Sequence, residues 1–139
     1  MKKYLVSASL ALAALTLSVA VSAAPGGKQE QVMFAAGKSS KTVKGSVQGK
    51  GYIDYLVTAK AGQSLSVALM PAKSSAYFNV NAPGSSLALY NGSVSGGKLK
   101  NRLLPNDGTY PIRVYLMGAA ADRNQKVDFS LEVGVTGKP

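Results

Sequence analysis

The chain has 139 residues, with 16 lysines and arginines against 6 aspartates and glutamates, a formal charge of +10, and neither histidine nor cysteine. That composition excludes Ser–His and Cys–His nucleophile systems, removes the usual ligands of zinc and copper, and rules out disulfides. What remains is a chain long enough for one domain, held together by burial and backbone pairing.

Residues 1–23 read as a secretory signal. Lys2 and Lys3 form the positive region, 5–21 is an uncharged apolar run, and Val21-Ser22-Ala23 places small residues at the −3 and −1 positions. Cleavage after Ala23 is preferred to cleavage after Ala24, which would leave Pro25 at the new N-terminus. The mature chain is then 116 residues with a charge of +8. Residues 24–31 (APGGKQEQ) form a polar leader expected to be flexible, and 32–139 is the folded domain. The export signal places the protein in the bacterial periplasm.

After the leader the apolar period is two. A short first strand is expected at 32–35. The segment 42–47 sets Val43, Gly45 and Val47 against Thr42, Lys44 and Ser46. In 52–58, Ile53, Tyr55 and Val57 oppose Tyr52, Asp54 and Leu56. In 64–69, Leu65, Val67 and Leu69 share a face. Shorter strands are expected at 77–80, 87–90 and 99–104, and strong ones at 110–116 and 127–135. Turn signals separate them at 48–51, 60–63, 82–85, Asn91-Gly92, Gly96-Gly97 and 106–108. The segment 118–123 holds at most one helical turn. The expected fold is all-β, a single antiparallel sandwich of about eight short strands.

Chemistry is thinly provided. A glycosidase pair needs two carboxylates across a cleft, and no spacing among the six suggests one. Asp54 lies mid-strand among aromatics and reads as a solvated carboxylate. Calcium-loop spacing is absent. The Tyr110, Arg113 and Tyr115 group is a weak match to a tyrosine nucleophile. Tyr52 and Tyr55 face opposite ways, which spoils a stacking platform, so no nucleic-acid partner is expected. The lysines are spread with no five-residue block, as on an ordinary solvated surface. No enzyme, cofactor or metal is expected, and binding becomes the leading class.

The best candidate for a binding surface is the turn Asp107-Gly108-Thr109-Tyr110. The loops 81–86 and 91–97 are its candidate neighbours, with Ser85, Ser86, Asn91 and Ser93 as secondary contacts. A short Asp-Gly-x-Tyr entering a strand also fits a tyrosine corner, with the hydroxyl bonded back to the backbone. Tyr110 is in phase with Ile112, Val114 and Leu116, which supports such a peg. Pro111 cannot donate to a ladder, so pairing there is expected to be broken or on an edge.

The segments GYIDYLVTAKAGQSLSVAL (51–69), SAYFNVNAPGSSLALYNGS (75–93) and LLPNDGTYPIRVYLMGAAADRN (103–124) resemble the bacterial periplasmic lysozyme inhibitors. The likeness is expected to be nearest to inhibitors of invertebrate-type lysozyme, with goose-type inhibitors more distant. It implies an eight-stranded antiparallel sandwich that blocks a host lysozyme by inserting a loop into the substrate cleft. The family's Ser-Gly-x-Tyr turn falls on 107–110, so Asp107, Gly108, Thr109 and Tyr110 are the implied partner-binding residues. Asp107 departs from the family serine: an ionised carboxylate only accepts, and it would meet like charge in a cleft lined by carboxylates. The two roles for Tyr110 combine in the expectation that its ring packs at the sheet edge while its hydroxyl points outward. A homodimer through a strand edge and peripheral contact with the envelope are compatible with the sequence. The alternative function is a non-inhibitory module for anionic envelope glycan or lipid.

Overall fold

The computed structural model describes residues 27–71 and 74–138; the expected signal and the first residues of the leader lie outside them. Nine strands and two short helices follow in the order β1 (Gly27–Gln31), β2 (Ser40–Gln48), β3 (Tyr52–Ala59), β4 (Ser64–Met70), β5 (Ala76–Asn81), β6 (Ala88–Asn91), α1 (Gly92–Ser95), β7 (Lys98–Leu103), β8 (Gly108–Leu116), α2 (Gly118–Asp122) and β9 (Lys126–Thr136). They form two sheets, β1-β3-β8-β5-β6 and β2-β9-β4-β7. The fold is the expected all-β sandwich.

The alternation dictates this packing. Along β3, Ile53, Tyr55 and Val57 turn inward; along β8, Tyr110, Ile112 and Val114 do; along β9, Phe129, Leu131 and Val133 do, and each of these is buried. A one-residue slip of any of these strands would turn its apolar set to water, so the pattern fixes register as well as face. The registers are long: β2 pairs β9 from Ser40↔Gly134 to Gln48↔Lys126, and β3 pairs β8 from Tyr52↔Tyr115 to Ala59↔Gly108.

The N-terminal side differs from expectation. The strand expected at 32–35 is absent, and Gly27–Gln31, in the segment expected to be a loose leader, is a strand instead. It pairs with β3 in parallel, from Gly27↔Tyr52 to Gln31↔Leu56. Its side chains are poor strand formers with no apolar alternation, so the open backbone edge of β3 determines the pairing. The Val32 N–H extends it, donating to the Leu56 carbonyl at 2.9 Å. The turn expected at Asn91-Gly92 is a helix start. Asn91 caps α1, its side-chain oxygen accepting from the Ser93 N–H at 3.1 Å.

Candidate functional site

The turn before β8 is tied at three points. The Tyr110 hydroxyl donates to the Asn106 carbonyl at 2.6 Å and accepts from the Asn106 N–H at 3.1 Å. The side chain has no exposed surface. Tyr110 is therefore a tyrosine corner, and the expectation that its hydroxyl points outward is overturned: both of its hydrogen-bonding functions are used within the turn. Asp107 supplies the second tie, its Oδ1 accepting from the Ala61 N–H at 2.8 Å and pinning the turn to the β3–β4 loop. The third is Gly108, with φ +140°; a Cβ there would lie 2.8 Å from the Cβ of Pro83. No side chain fits, so the β5–β6 loop rests directly on the backbone of the turn. Thr109 remains exposed, with its Oγ1 3.3 Å from that of Thr58.

The secondary residues divide. Ser85 and Ser86 belong to the β5–β6 loop, beside the turn through Pro83. The Ser85 N–H donates to the Ala82 carbonyl at 3.2 Å, and the Ser85 hydroxyl accepts from the Leu87 N–H at 3.0 Å. Asn91 and Ser93 are elsewhere. Asn91 pairs with Asn79 inside the sheet, and α1 leads away to Gly97, whose carbonyl accepts from the Leu69 N–H at 2.9 Å near the far end of β4. Their polar groups cap α1 and do not join the turn.

The break expected at Pro111 is one-sided. β8 is the central strand of its sheet, not an edge. β3 continues past Leu56↔Pro111 to Ala59↔Gly108, whereas the pairing of β5 stops at Val80↔Ile112. On that side the turn and the first residues of β8 stand clear of the ladder.

From Thr109 the outward face of β8 runs through Pro111, Arg113 and Tyr115. Register places Asp54 opposite Arg113, and the two form a bidentate pair: Nε to Oδ1 at 2.8 Å and Nη2 to Oδ2 at 3.0 Å. Asp54 is 6% exposed, which corrects the reading of a solvated carboxylate. The Arg113 guanidinium lies over the Tyr52 ring, 3.8 Å from its centroid. Its pKa is raised, first by the hydrogen bond to Asp54, so it stays charged. The Tyr115 hydroxyl donates to Asn79 Oδ1 at 2.9 Å, and the Tyr77 ring lies 6.2 Å from that of Tyr115.

The outward positions of β3, β8 and β5 hold no lysine although the protein is strongly basic. Tyrosine and arginine without lysine is the composition of an interface centre. The sequence groups Arg113 and Tyr115 with Tyr110 and sets Tyr52 and Asp54 apart from them, so the cluster was missed. Two alternating strands are visible in the sequence, but the register that sets Asp54 against Arg113 is not.

No catalytic arrangement accompanies these groups. A recess of about 790 Å³ is an open groove across β2 and β9 lined by Lys44, Ser46, Met70, Lys126 and Asp128 among others. Asp128 is its only carboxylate, and it accepts a hydrogen bond from Ser46. Among the described residues no group of three or more metal-ligating side chains is present.

No protein-family model matches the chain, and no curated protein does. Solved structures do. The chain is similar to Aeromonas hydrophila PliG, a periplasmic lysozyme inhibitor of g-type lysozyme, at 36% identity over 80% of this chain and 98% of that one, with a TM-score of 0.73. A mutant of PliG-Ec, the inhibitor of g-type lysozyme from Escherichia coli, matches at 25% identity over 80% of this chain and 99% of that one, with a TM-score of 0.64. Salmonella Typhimurium PliG shares the fold at 24% identity, over 78% and 98% of the two chains, with a TM-score of 0.64. All three are inhibitors of g-type lysozyme, so the nearer likeness expected to invertebrate-type inhibitors is not supported.

Proposed function

The chain belongs to the family of bacterial periplasmic lysozyme inhibitors, periplasmic proteins that are not enzymes, and on that footing we propose that it inhibits a lysozyme of the g-type. The observation that carries the target class is the 36% identity to an inhibitor of g-type lysozyme along 98% of that protein's length. An invertebrate-type target, which the sequence resemblance favours, is the competing specificity. The exported form in this reading is residues 24–139.

The surface put to use is the turn 106–109 with the adjoining outward face of β8. Asn106 and Thr109 are exposed at the tip. Asp107 and Tyr110 act as its posts, and Gly108 allows the β5–β6 loop to support it. The departure from the family serine has a physical meaning here. Asp107 spends one carboxylate oxygen on Ala61, so its part is to hold the turn and not to meet a carboxylate in the cleft. Arg113, Tyr52 and Tyr115 supply large, rigid contact area beside the tip. Inhibition by insertion requires this geometry and no chemistry from the inhibitor.

The test is a cell-wall lysis assay with the exported chain titrated against one lysozyme each of the goose, invertebrate and chicken types. Stoichiometric inhibition of the goose type alone is expected. Inhibition of the invertebrate type alone would overturn the specificity and keep the family function. A folded sample that inhibits none would overturn the function itself.

A further inference from the structure

The side of the sandwich where the chain passes from β6 through α1 to β7 has a composition that the inhibitor reading does not use. β6 is the last strand of its sheet and β7 the last of the other, so β6, α1 and β7 together form one flank. Tyr90 ties it together: its hydroxyl lies 2.5 Å from the Gly96 carbonyl and 2.9 Å from that of Lys98, while its ring stacks on Phe78 with centroids 5.1 Å apart. The flank is thus a fixed part of the fold.

The 25 residues 82–106, which run from the β5–β6 loop through this flank to the turn, contain no aspartate or glutamate. They contain three cations, Lys98, Lys100 and Arg102, all on β7 and all exposed. Among the described residues the two salt bridges are Lys28–Glu30 and Arg113–Asp54, so none of the three is paired. Glu132 is separated from Lys98 by β4, where Ala68 pairs with both, and Asp107 is engaged with Ala61. The same stretch carries three of the six exposed large apolar side chains among the described residues: Leu87 at 77%, Val94 at 81% and Leu103 at 64%. Single exposed apolar residues are ordinary. Three on one flank with three unpaired cations and no acid are not.

We propose that this flank docks on an anionic phospholipid surface. Cations held near such a surface are attracted by its negative potential, and apolar side chains beside them enter the boundary between headgroups and acyl chains. A dissolved polyanion would use only the cations and leave Leu87, Val94 and Leu103 in water. The combination of both groups favours a bilayer. The flank borders the turn at one end, where the β5–β6 loop meets Gly108 and the chain runs on from Leu103 to Asn106, and extends from there to α1. The proposal stands independently of the lysozyme reading.

The experiment is co-sedimentation of the exported chain with vesicles of phosphatidylglycerol and phosphatidylcholine at roughly 3:7, with pure phosphatidylcholine vesicles alongside. The chain is expected to bind the mixed vesicles and to be released by salt. The triple variant Lys98→Gln, Lys100→Gln, Arg102→Gln should lose about a hundredfold in partitioning. A charge-matched control, Lys38→Gln, Lys41→Gln, Lys50→Gln, should stay within about threefold. The variant Leu87→Ser, Val94→Ser, Leu103→Ser should also bind more weakly, since it removes the inserted groups. All nine positions are exposed, and thermal melts confirm that each variant is folded. Equal loss from the two charge-matched variants would overturn the proposal, because net charge alone would then explain binding. An apolar triple variant that binds as well as the parent would overturn it too, in favour of a polyanion site. So would the absence of binding to the anionic vesicles.

Discussion

Replacing Tyr110 by phenylalanine separates a peg from a plug. The ring is fully buried and stays in place, so the core keeps its volume and only the hydroxyl is lost. Two hydrogen bonds go with it, at 2.6 and 3.1 Å, both to the backbone of Asn106. Each is worth about 0.5–1.5 kcal/mol net. Asn106 is exposed, so water can reach part of what is freed. The expected cost is therefore about 1.5–2 kcal/mol, read as a lower urea midpoint with an unchanged slope. In a thermal melt it is a fall of roughly 5–10 °C. Lysis inhibition, measured well below the melting transition, should persist within about tenfold, since the hydroxyl never meets the partner. The opposite pattern refutes this account: stability unchanged within about 0.3 kcal/mol and inhibition abolished would mean that the hydroxyl works outward.

Four other substitutions probe the turn, the ion pair and the core. Gly108→Ala puts a Cβ against Pro83 at a φ that disfavours side chains, so it should cost about 2 kcal/mol and weaken inhibition by displacing the turn; an unchanged melt and unchanged inhibition would show that the β5–β6 loop yields freely. Arg113→Met leaves the Asp54 carboxylate, at 8% side-chain exposure, without its partner and should cost about 2–3 kcal/mol. Asp54→Asn leaves an arginine at 46% side-chain exposure that water can serve, and should cost about 1 kcal/mol; equal costs in urea unfolding would contradict this asymmetry. The Tyr55 hydroxyl is buried with no hydrogen-bond partner, and burial pushes its pKa up to about 12, with a smaller contribution from Glu30. Because the folded value is raised, the unfolded chain ionises first. The stability this group confers is complete below about pH 10 and is lost as pH rises through about 12. Tyr55→Phe should be neutral or slightly stabilising at pH 7 and should lose less stability than the parent between about pH 10 and 12; parallel pH curves would count against it.

The fold was legible because most strands announce themselves twice, by alternation and by turn residues. β3, β4, β8 and β9 fall within one or two residues of their expected bounds. β1 was not legible, since Gly27–Gln31 has no apolar face and is ordered by the backbone of β3. α1 was hidden because an Asn-Gly pair signals a hairpin and a helix cap alike until the hydrogen bond of Asn91 decides. At the turn the residues were visible and their partners were not. Asp107 could be seen to differ from serine, but its tie to Ala61 spans 46 positions. The Asp54–Arg113 pair spans 59, and only the register of two sheet neighbours brings those two residues together.

The three ties on the turn have a consequence for the thermodynamics of association. Asn106 holds Tyr110 locally, while Ala61 and Pro83 anchor Asp107 and Gly108 from two different loops. A loop fixed by folding loses little conformational entropy when it meets a partner, so most of its contact energy is retained as affinity. Complex formation at this end should resemble rigid docking, with the backbone of the free and bound turns superimposing within about 1 Å. Loosening any one tie would then weaken binding through disorder of the free protein, with every atom that touches the partner still present.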